Sequence, residues 1–563
     1  MAIIGIDLGT TNSLACVYRD KKTELIPNSL GEYLTPSVVS LDENGEIITG
    51  AVARERLVTN PADTVASFKR FMGSKKIFRL AKKNFTPQEL SAFILRQLKQ
   101  DAEQYLGEEI TEAVISVPAY FNNNQRVATL EAGRIAGLHV ERLVNEPSAA
   151  ALASYMISGA DEQSCLVFDF GGGTLDVSVV DCFDDVIEIV AVSGDNHLGG
   201  NDFDTKIAEF FCKSHDISMD SLSPEKRATL LRLAEKAKKE LTEKKAALLQ
   251  MDIKNETMAV ILNNEILIEC CADLFERMAG AVKHALRDSG YSMEDIDNVV
   301  LAGGSGKMPV VSYFLQNLLG KNPVMIGSPD EIIARGAGIY AGIKARNAEI
   351  KDMLLTDICP FTLGVGVQNL NNPKNHSMSP IIERNSVLPV SRTKLYTNAG
   401  DGQSEIKIVV YQGESFDCSD NLCLGKIEID IEKSRLHEAS ISVTFSYDIN
   451  GILIVDVEDN KTSNHKQQVF MNEGINLSEE EIKKKREELK KYKTSVNGNM
   501  KDKLLLARGN RLYQELTGIN RERVAAAMQQ FEYALSVNDK QTVHTLRGQI
   551  NEFFDRCEEF LDG

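Results

Sequence analysis

The chain has 563 residues, 43% of them apolar and 26% charged, and Lys+Arg 63 against Asp+Glu 81 leave a formal charge of −18. At about 150 residues per domain, this length suggests about four structural units, each able to bury its own core. The acidic balance argues against sequence-independent nucleic-acid binding, which needs a cationic face to release counterions. It does not argue against ATP, which takes only a few local cations and backbone N–H groups.

The opening run MAIIGIDLG meets Asp7 too early for a secretory leader. No stretch approaches the ~18 consecutive apolar residues of a membrane span. The ten cysteines (Cys16, Cys165, Cys182, Cys212, Cys270, Cys271, Cys359, Cys418, Cys423 and Cys557) are scattered without a C-x-x-C pair. Buried free thiols in a reducing cytoplasm are therefore expected, rather than a disulfide framework or a zinc site.

Up to about residue 350, short β-runs alternate with helical stretches. Residues 3–18, IIGIDLGTTNSLACVY, and 166–180, LVFDFGGGTLDVSVV, share one plan: apolar strand, aspartate, Gly/Thr turn, second β-rich run. Each reads as a hairpin, and the repeat predicts two related lobes facing a common cleft. Glu225–Gln250 reads as a helix with Leu230, Ala234, Ala237 and Leu241 on one stripe. The texture changes at KDMLLTD (351–357), a short apolar patch between acidic residues.

From 358 to 475 the apolar period becomes two: Ile406, Ile408, Val410; Ile427, Ile429, Ile431; Ile441, Val443, Phe445, Tyr447. Asn450-Gly451 is a strong hairpin-turn signal, so a compact antiparallel β unit is predicted. Ser478-x-x-Glu481 is a capping box opening a Lys/Glu helix. Val543, Leu546, Ile550, Phe553, Cys557 and Phe560 then recur at three/four spacing, as in a small helical bundle.

Gly9-Thr10-Thr11-Asn12 and Gly171-Gly172-Gly173-Thr174 are loops where backbone can approach a phosphate, beside Asp7 and Asp169, which suit hydrated Mg²⁺. Singly, each is more readily a tight turn. As a pair on repeated hairpins they favour the phosphate reading. Gly303-Gly304-Ser305-Gly306-Lys307 follows the β-run Asn298–Leu301 but is no Walker A loop, since Leu301 holds the first-glycine position and Met308 follows the lysine. It reads either as a close approach to a base or sugar or as a plain strand–helix turn. Lys69, Glu146 and the helix face Glu235, Lys238, Lys239, Thr242 are, by themselves, ordinary solvated charge.

IGIDLGTTNS, VPAYFNNNQR, NEPSAAALA, FDFGGGTLDVS, HLGGNDFD and the Gly303–Pro309 cluster, in this order, resemble the seventy-kilodalton heat-shock (DnaK-type) chaperone family. The compact length is similar to that of its short bacterial HscC branch. The resemblance implies a multidomain α/β plus β plus α architecture. Its parts would be an actin-like two-lobed ATPase domain (1–350), an interdomain linker (351–357), a β-sandwich substrate-binding domain (358–475) and an α-helical lid (476–563). It implies an ATP-dependent molecular chaperone in which ATP hydrolysis gates binding of extended apolar segments of unfolded proteins. A small-molecule kinase or an actin-like filament protein on the same core would leave 358–563 without a role.

By the same resemblance, Asp7 and Asp169 would hold Mg²⁺ through waters, and Asp176 would join Asp7 in K⁺ sites. Thr10, Thr11 and Thr174 would contact phosphates, with Asn12, Gly171, Gly172, Gly173, Gly199 and Gly200 around them. Lys69 would sit by the γ-phosphate and the in-line water, and Glu146 near the metal's water shell. Glu235, Lys238, Lys239 and Thr242 would face adenosine, with Gly303, Gly304, Ser305, Lys307 and Asp330 on its other side. Pro118 and Arg126 match an interdomain relay, Arg142 and Asn145 a strip contacting a J-domain co-chaperone, and Leu354, Leu355 and Asp357 the linker. Val365, Gln368, Tyr396, Ala399, Ile406, Ile408 and Ile452 align with the peptide cleft. Asn201, Lys239, Lys307 and Gln368 depart from the family's usual acidic, arginine, arginine and apolar residues. Partners implied are client polypeptides, a J-domain protein and a nucleotide exchange factor whose need stays open, with no nucleic acid and no membrane.

Overall fold

Two hairpins organise the first half of the chain. Ile3–Asp7 runs antiparallel to Asn12–Arg19 and parallel to Glu112–Val117, which pairs in parallel with His139–Asn145. In a second sheet, Glu162–Phe170 runs antiparallel to Leu175–Phe183 and parallel to Asn298–Ala302, and Leu175–Phe183 continues antiparallel to Val186–Asp195. Both Gly/Thr turns read from the sequence close these hairpins. Ile4, Ile6, Leu166, Phe168 and Phe170 are wholly buried, as in strands covered on both faces. The helix Ile332–Lys344 packs on the first hairpin and against the helix Glu146–Ser158. This computed structural model describes residues 2–158, 162–183, 186–253, 256–347, 350, 353–369, 372–470, 478–490, 500–516, 518–537 and 540–562.

The expected helix over Glu225–Gln250 is half right. A helix spans Pro224–Glu240, capped by the Ser223 hydroxyl, and buries Leu230, Ala234 and Ala237. Beyond it, Ala246–Ile253 is a strand paired with Glu256–Asn263. The apolar period changes there from 3.6 to two: Ala247, Leu249, Met251 and Ile253 are buried in alternation.

Leu354–Ile358, expected as a linker, is a strand of the second sheet. It pairs in parallel with Val186–Asp195 (Val186 with Leu354, Ile187 with Leu355) and antiparallel with Val387–Leu388. Alternation along a strand sends the two leucines to opposite faces. Leu354 is 62% exposed, so the apolar patch read at 351–357 is not buried as a whole. Leu355 packs on the core that holds Ile187 and Ile189. Lys351 and Asp352 of the expected linker, and the expected boundary at 475–476, lie outside the described residues.

The β unit has two four-stranded antiparallel sheets. In one, Leu363–Asn369 lies between Asn372–Ile382 and Gln403–Gln412, with Leu422–Ser434 outside the latter. In the other, Val390–Tyr396, Ile441–Tyr447, Leu453–Asp459 and His465–Val469 follow in order. The predicted period-two runs fill its interior: Ile406, Ile408, Val410, Ile427, Ile429, Ile431, Ile441, Val443, Phe445 and Tyr447 form one core.

The Asn450-Gly451 turn, with Gly451 at φ 72°, does more than reverse the chain. It docks on the first sheet. Asn450 Oδ1 accepts from Leu143 N (3.0 Å), its Nδ2 donates to Glu141 O (2.9 Å), and Arg142 Nη1 donates to Ile449 O (2.6 Å). Ile452, 8% exposed, enters the core beneath Ile115, Val127 and Leu143. Its burial contributes about 1.5–3 kcal/mol, and the polar contacts about 0.5–1.5 kcal/mol each.

The capping box forms, with Glu481 N donating to Ser478 Oγ (3.2 Å) and Ser478 N to Glu481 Oε2 (2.8 Å). The helix it opens, Glu479–Lys490, lies on the first half through Lys485–Glu89 (2.6 Å) and Arg96 Nη1 to Leu489 O (3.0 Å). Met500–Glu515, Gly518–Ser536 and Lys540–Asp562 form the predicted bundle around Leu512, Phe531, Ile550 and Phe554. The side chain of Phe560 lies outside the described residues.

The strand geometry separates the two leucines experimentally. Leu355→Asp should expel the strand from the sheet, because an unpaired carboxylate will not bury, and small-angle scattering with ATP should show a larger radius of gyration. Leu354→Asp should leave it within error. Equal expansion in both would contradict the register.

Candidate functional site

Five elements bring charge to one point. Ile3–Asp7 ends on Asp7, Glu162–Phe170 carries Asp169 near its end, and Leu175–Phe183 has Asp176 near its start. Glu146 opens the helix Glu146–Ser158, and Lys69 sits in the short turn Phe68–Phe71. Lys69 Nζ lies 2.8 Å from Glu146 Oε1, and neither side chain is more than 7% exposed. The ammonium also stands 5.5 Å from the centroid of the Phe121 ring. Ser116 Oγ donates to Asp7 Oδ1 (2.9 Å) and Tyr120 N to Asp176 Oδ1 (3.1 Å).

Four buried carboxylates thus share one ammonium. Burial, then the charge of Glu146, pushes Asp7 up to about 7 and Asp176 up to about 7. Asp169 is pushed well up by burial, then by Glu146, Asp176 and Asp7. Asp176 Oδ2 is buried without a hydrogen-bond partner. An all-oxygen set with an orphaned lone pair and surplus negative charge fits a hard divalent cation. Asp7 and Asp169 could hold Mg²⁺ through its waters, with Asp176 paired to Asp169 across the hairpin.

The phosphate loops meet across the two halves. A Cβ on Gly172 would overlap Thr11 Oγ1, itself a buried atom without a partner, so only glycine permits this approach. Gly171 N donates to Thr174 O (3.1 Å), and Gly200 N and Asn201 N donate to Gly171 O (3.0 Å) and Gly172 O (2.9 Å). Arg70, absent from the sequence expectations, ties the second loop to Asp202: Nε donates to Gly173 O (3.0 Å) and Nη1 to Asp202 Oδ1 (3.1 Å). Its only sequence signal is adjacency to Lys69 in ASFKRF, with Asp202 inside HLGGNDFD. Asn201 Nδ2 donates to Ser67 Oγ (2.9 Å).

On the other side, Arg54 Nη2 reaches both oxygens of Glu235 (2.8 and 2.9 Å), and Lys239 Nζ is 2.6 Å from Oε1. Burial opposes ionisation of Glu235, yet Arg54 and Lys239 outweigh it and hold the carboxyl at about 2. Lys238 is turned inward, to Asp204 Oδ1 (2.7 Å) and Gly200 O (2.8 Å). Lys307 pairs with Asp330. Gly303, at φ 76°, packs against Phe170 and Asp169, where a Cβ would stand 2.6 Å from Asp169 Oδ1. A Cβ on Gly200 would meet Ser305 Oγ.

A cavity of about 1190 Å³ is lined, among others, by Thr10, Thr11, Asn12, Asn201, Glu235 and Lys239. That exceeds what a drug-sized ligand needs. Thr242, exposed beyond the helix end, and Gly303, Gly304, Ser305, Lys307 and Asp330 lie outside its lining, as do Lys238, Gly199, Gly200, the Gly171–Thr174 loop and the buried cluster of Asp7, Lys69, Glu146, Asp169 and Asp176.

The residues matched to an interdomain relay also cluster. Arg126 Nη2 donates to Asn145 Oδ1 (2.7 Å) and Ala119 O (3.0 Å), and Nη1 to Asn450 O (3.4 Å) of the docked turn. Pro118 O accepts from Phe121 N (3.1 Å). Arg142 and Asn145 are buried under that turn, and Ser148 Oγ meets Asp357 Oδ2 at 3.5 Å. Of the residues aligned with a peptide cleft, Val365, Ile406 and Ile408 belong to the sandwich core. Tyr396 is half-buried with its hydroxyl 3.0 Å from Ser379 Oγ, and Gln368 and Ala399 are exposed. Ile452 is a correction: it precedes the strand Leu453–Asp459, past the end of the sandwich, and the docked first half covers it.

The chain matches the Hsp70 protein family over residues 3–78 and 76–552. Chaperone protein DnaK of Thermotoga neapolitana is 42% identical over 512 residues, 87% of this chain and 83% of the relative. DnaK of Thermotoga maritima matches to the same extent, and that of Thermosipho africanus is 41% identical over 507 residues, again 87% of this chain and 83% of the relative. The chain belongs to the Hsp70 family: it is an ATP-dependent molecular chaperone and an ATPase. These relatives carry the DnaK name rather than that of the shorter HscC branch.

Lys69→Ala should lower single-turnover ATP hydrolysis by roughly 10²–10³, the usual cost of one preorganised donor, and leave nucleotide affinity within a few-fold. Near wild-type hydrolysis would contradict the expectation that this ammonium acts on the reacting phosphate.

Proposed function

We propose that ATP binds between two actin-like lobes within residues 1–350 and that its hydrolysis controls whether a β-sandwich at 358–475 is docked, through the 351–357 linker, with 476–563 serving as lid. The observation that carries this reading is a continuous ladder. The strand Leu354–Ile358 pairs with Val186–Asp195, that strand with Leu175–Phe183, which bears Asp176, and that one with Glu162–Phe170, which bears Asp169. A change in the spacing of these aspartates therefore reaches the linker through backbone hydrogen bonds alone.

At the site, Lys69 would donate to the terminal phosphate and the attacking water, held in place by Glu146. The hydroxyls of Thr10, Thr11 and Thr174 and the backbone of Gly171–Gly173, Gly199 and Gly200 would bind the phosphate chain, supported by Arg70. When bound, Mg²⁺ would neutralise phosphate oxygens and make the phosphoryl group easier to attack. A K⁺ ion would suit the surplus charge at Asp7 and Asp176. Glu235 and Lys239 would meet the adenosine end.

Unfolded apolar segments would bind at the β unit by strand-like backbone pairing with an apolar pocket, which gives affinity with little sequence demand. Arg142 and Asn145 lie under the 448–452 turn, so a J-domain co-chaperone would reach them once the β unit lifts. An exchange factor would act on the opening of the cleft. Ten free thiols suit a reducing cytoplasm, and among the described residues no helix is long and apolar enough to cross a membrane.

Steady-state ATP turnover with and without an unfolded apolar peptide tests the coupling. Peptide should raise turnover several-fold, and unchanged turnover at saturating peptide would contradict it.

A further inference from the structure

The cavity has a third wall. Beside Thr10, Thr11 and Asn12 of the first Gly/Thr loop, Leu504, Arg508, Arg511 and Glu558 of the C-terminal bundle line it. The helix Met500–Glu515 packs on Gly50–Thr59, which frames one side of the cavity mouth, while Pro224–Glu240 frames the other.

Between these helices runs an alternating chain of charge. Glu55 of Gly50–Thr59 pairs with Arg511, Arg511 Nη1 lies 2.8 Å from Glu515 Oε2, and Glu515 Oε1 accepts from Arg232 Nη2 (2.6 Å) and Nε (3.1 Å) on Pro224–Glu240. Arg511 and Glu515 are each only 6% exposed, so solvent screens their pairing weakly. Burial works against the charge on Arg511, yet Glu55, Glu515 and Glu558 raise its pKa further. Glu558 also accepts from Arg508 Nη2 (2.7 Å), which locks the same corner to the bundle's last helix.

We propose that the C-terminal bundle is a clamp on nucleotide exchange, with Arg511 as the positioning residue that joins both sides of the cleft in the docked form. The inference rests on the reading of this cavity as the nucleotide cleft. Arg54 to Glu235 joins the two helices directly, and Arg70 to Asp202 and Asn201 to Ser67 join the same two sides. A further link runs through the bundle, so separating the helices to release nucleotide requires breaking Glu55–Arg511 or Glu515–Arg232 as well. Undocking of the bundle would then be a step in release, and whatever lifts the bundle would act as an exchange stimulus from within the chain.

The test removes the bundle's anchors without disturbing the bundle. Glu55→Gln with Arg232→Gln breaks both bridges and leaves the Arg511–Glu515 and Arg511–Glu558 pairs in place. It removes one charge of each sign, so the local charge balance at the triphosphate changes little. Full-length protein is loaded with MANT-ATP and chased with excess unlabelled ATP by stopped flow, on a timescale shorter than one turnover. Release should be faster in the double variant by a factor on the order of ten, an effect on dissociation as for other buried charge pairs. The Arg232→Lys variant, which keeps the charge, should stay close to wild type. The gap between double variant and wild type should persist at high salt, since Arg511 and Glu515 are buried. Equal release from double variant and wild type would overturn the clamp while leaving the nucleotide site standing. Failure of the wild-type protein to bind MANT-ATP would overturn the cleft assignment itself, and the clamp with it.

Discussion

The site depends on an unbalanced buried charge. Asp7, Glu146, Asp169 and Asp176 are withdrawn from water with Lys69 as the ammonium among them. Removing a carboxylate from water costs several kcal/mol unless it is paired. The fold accepts this cost where two sheets end side by side, so the charge is relieved either by protonation, as the raised pKa values of Asp7, Asp169 and Asp176 indicate, or by what enters between them. In the proposed nucleotide complex a cation and a phosphate chain would do this together: the cation would meet the carboxylates, and Lys69, the hydroxyls and the glycine backbone would meet the phosphates. Because the carboxylates come from both halves, ligand binding is also the force that sets their spacing.

That spacing is transmitted without flexible parts. Asp169 and Asp176 face each other across one antiparallel ladder, and two further pairings lead to the strand at 354–358. The β unit is then held by individually weak contacts: the 448–452 turn, Ile452, Leu453 N donating to Asn123 Oδ1 (3.1 Å), Arg384 paired with Asp288 (2.9 Å), and the Phe361 ring on Tyr120. A contact made of a few bonds of about 1 kcal/mol each is one that a ligand can shift, since moving a two-state balance from one side to the other takes about 5.5 kcal/mol of differential binding.

The sequence made local features legible and nonlocal ones opaque. The hairpins at 3–19 and 162–183 announce themselves because strand, turn and return strand are contiguous. The sandwich strands announce themselves because alternation is a property of one segment. The helix at 224–240 was overrun because its lysine- and glutamate-rich end flows into a strand whose alternation starts only at Ala247. The motifs that resemble the family placed Lys69, Glu146 and the aspartates, whereas Arg70 and Asp202 act through a pairing 132 residues apart that no local pattern encodes. Asn450-Gly451 shows both sides: its turn could be read, its docking could not. Leu354 and Leu355 look alike in sequence, and only their register in the sheet separates them.

The most direct test of this account is hydrogen exchange at the amides of residues 354–358, compared between ATP-bound and ADP-bound protein. Pairing with Val186–Asp195 in the ATP state predicts strong protection that falls by orders of magnitude with ADP, alongside loss of protection near Asn450. Equal protection of this strand in both nucleotide states would contradict the claim that the ladder couples the carboxylate cluster to the β unit.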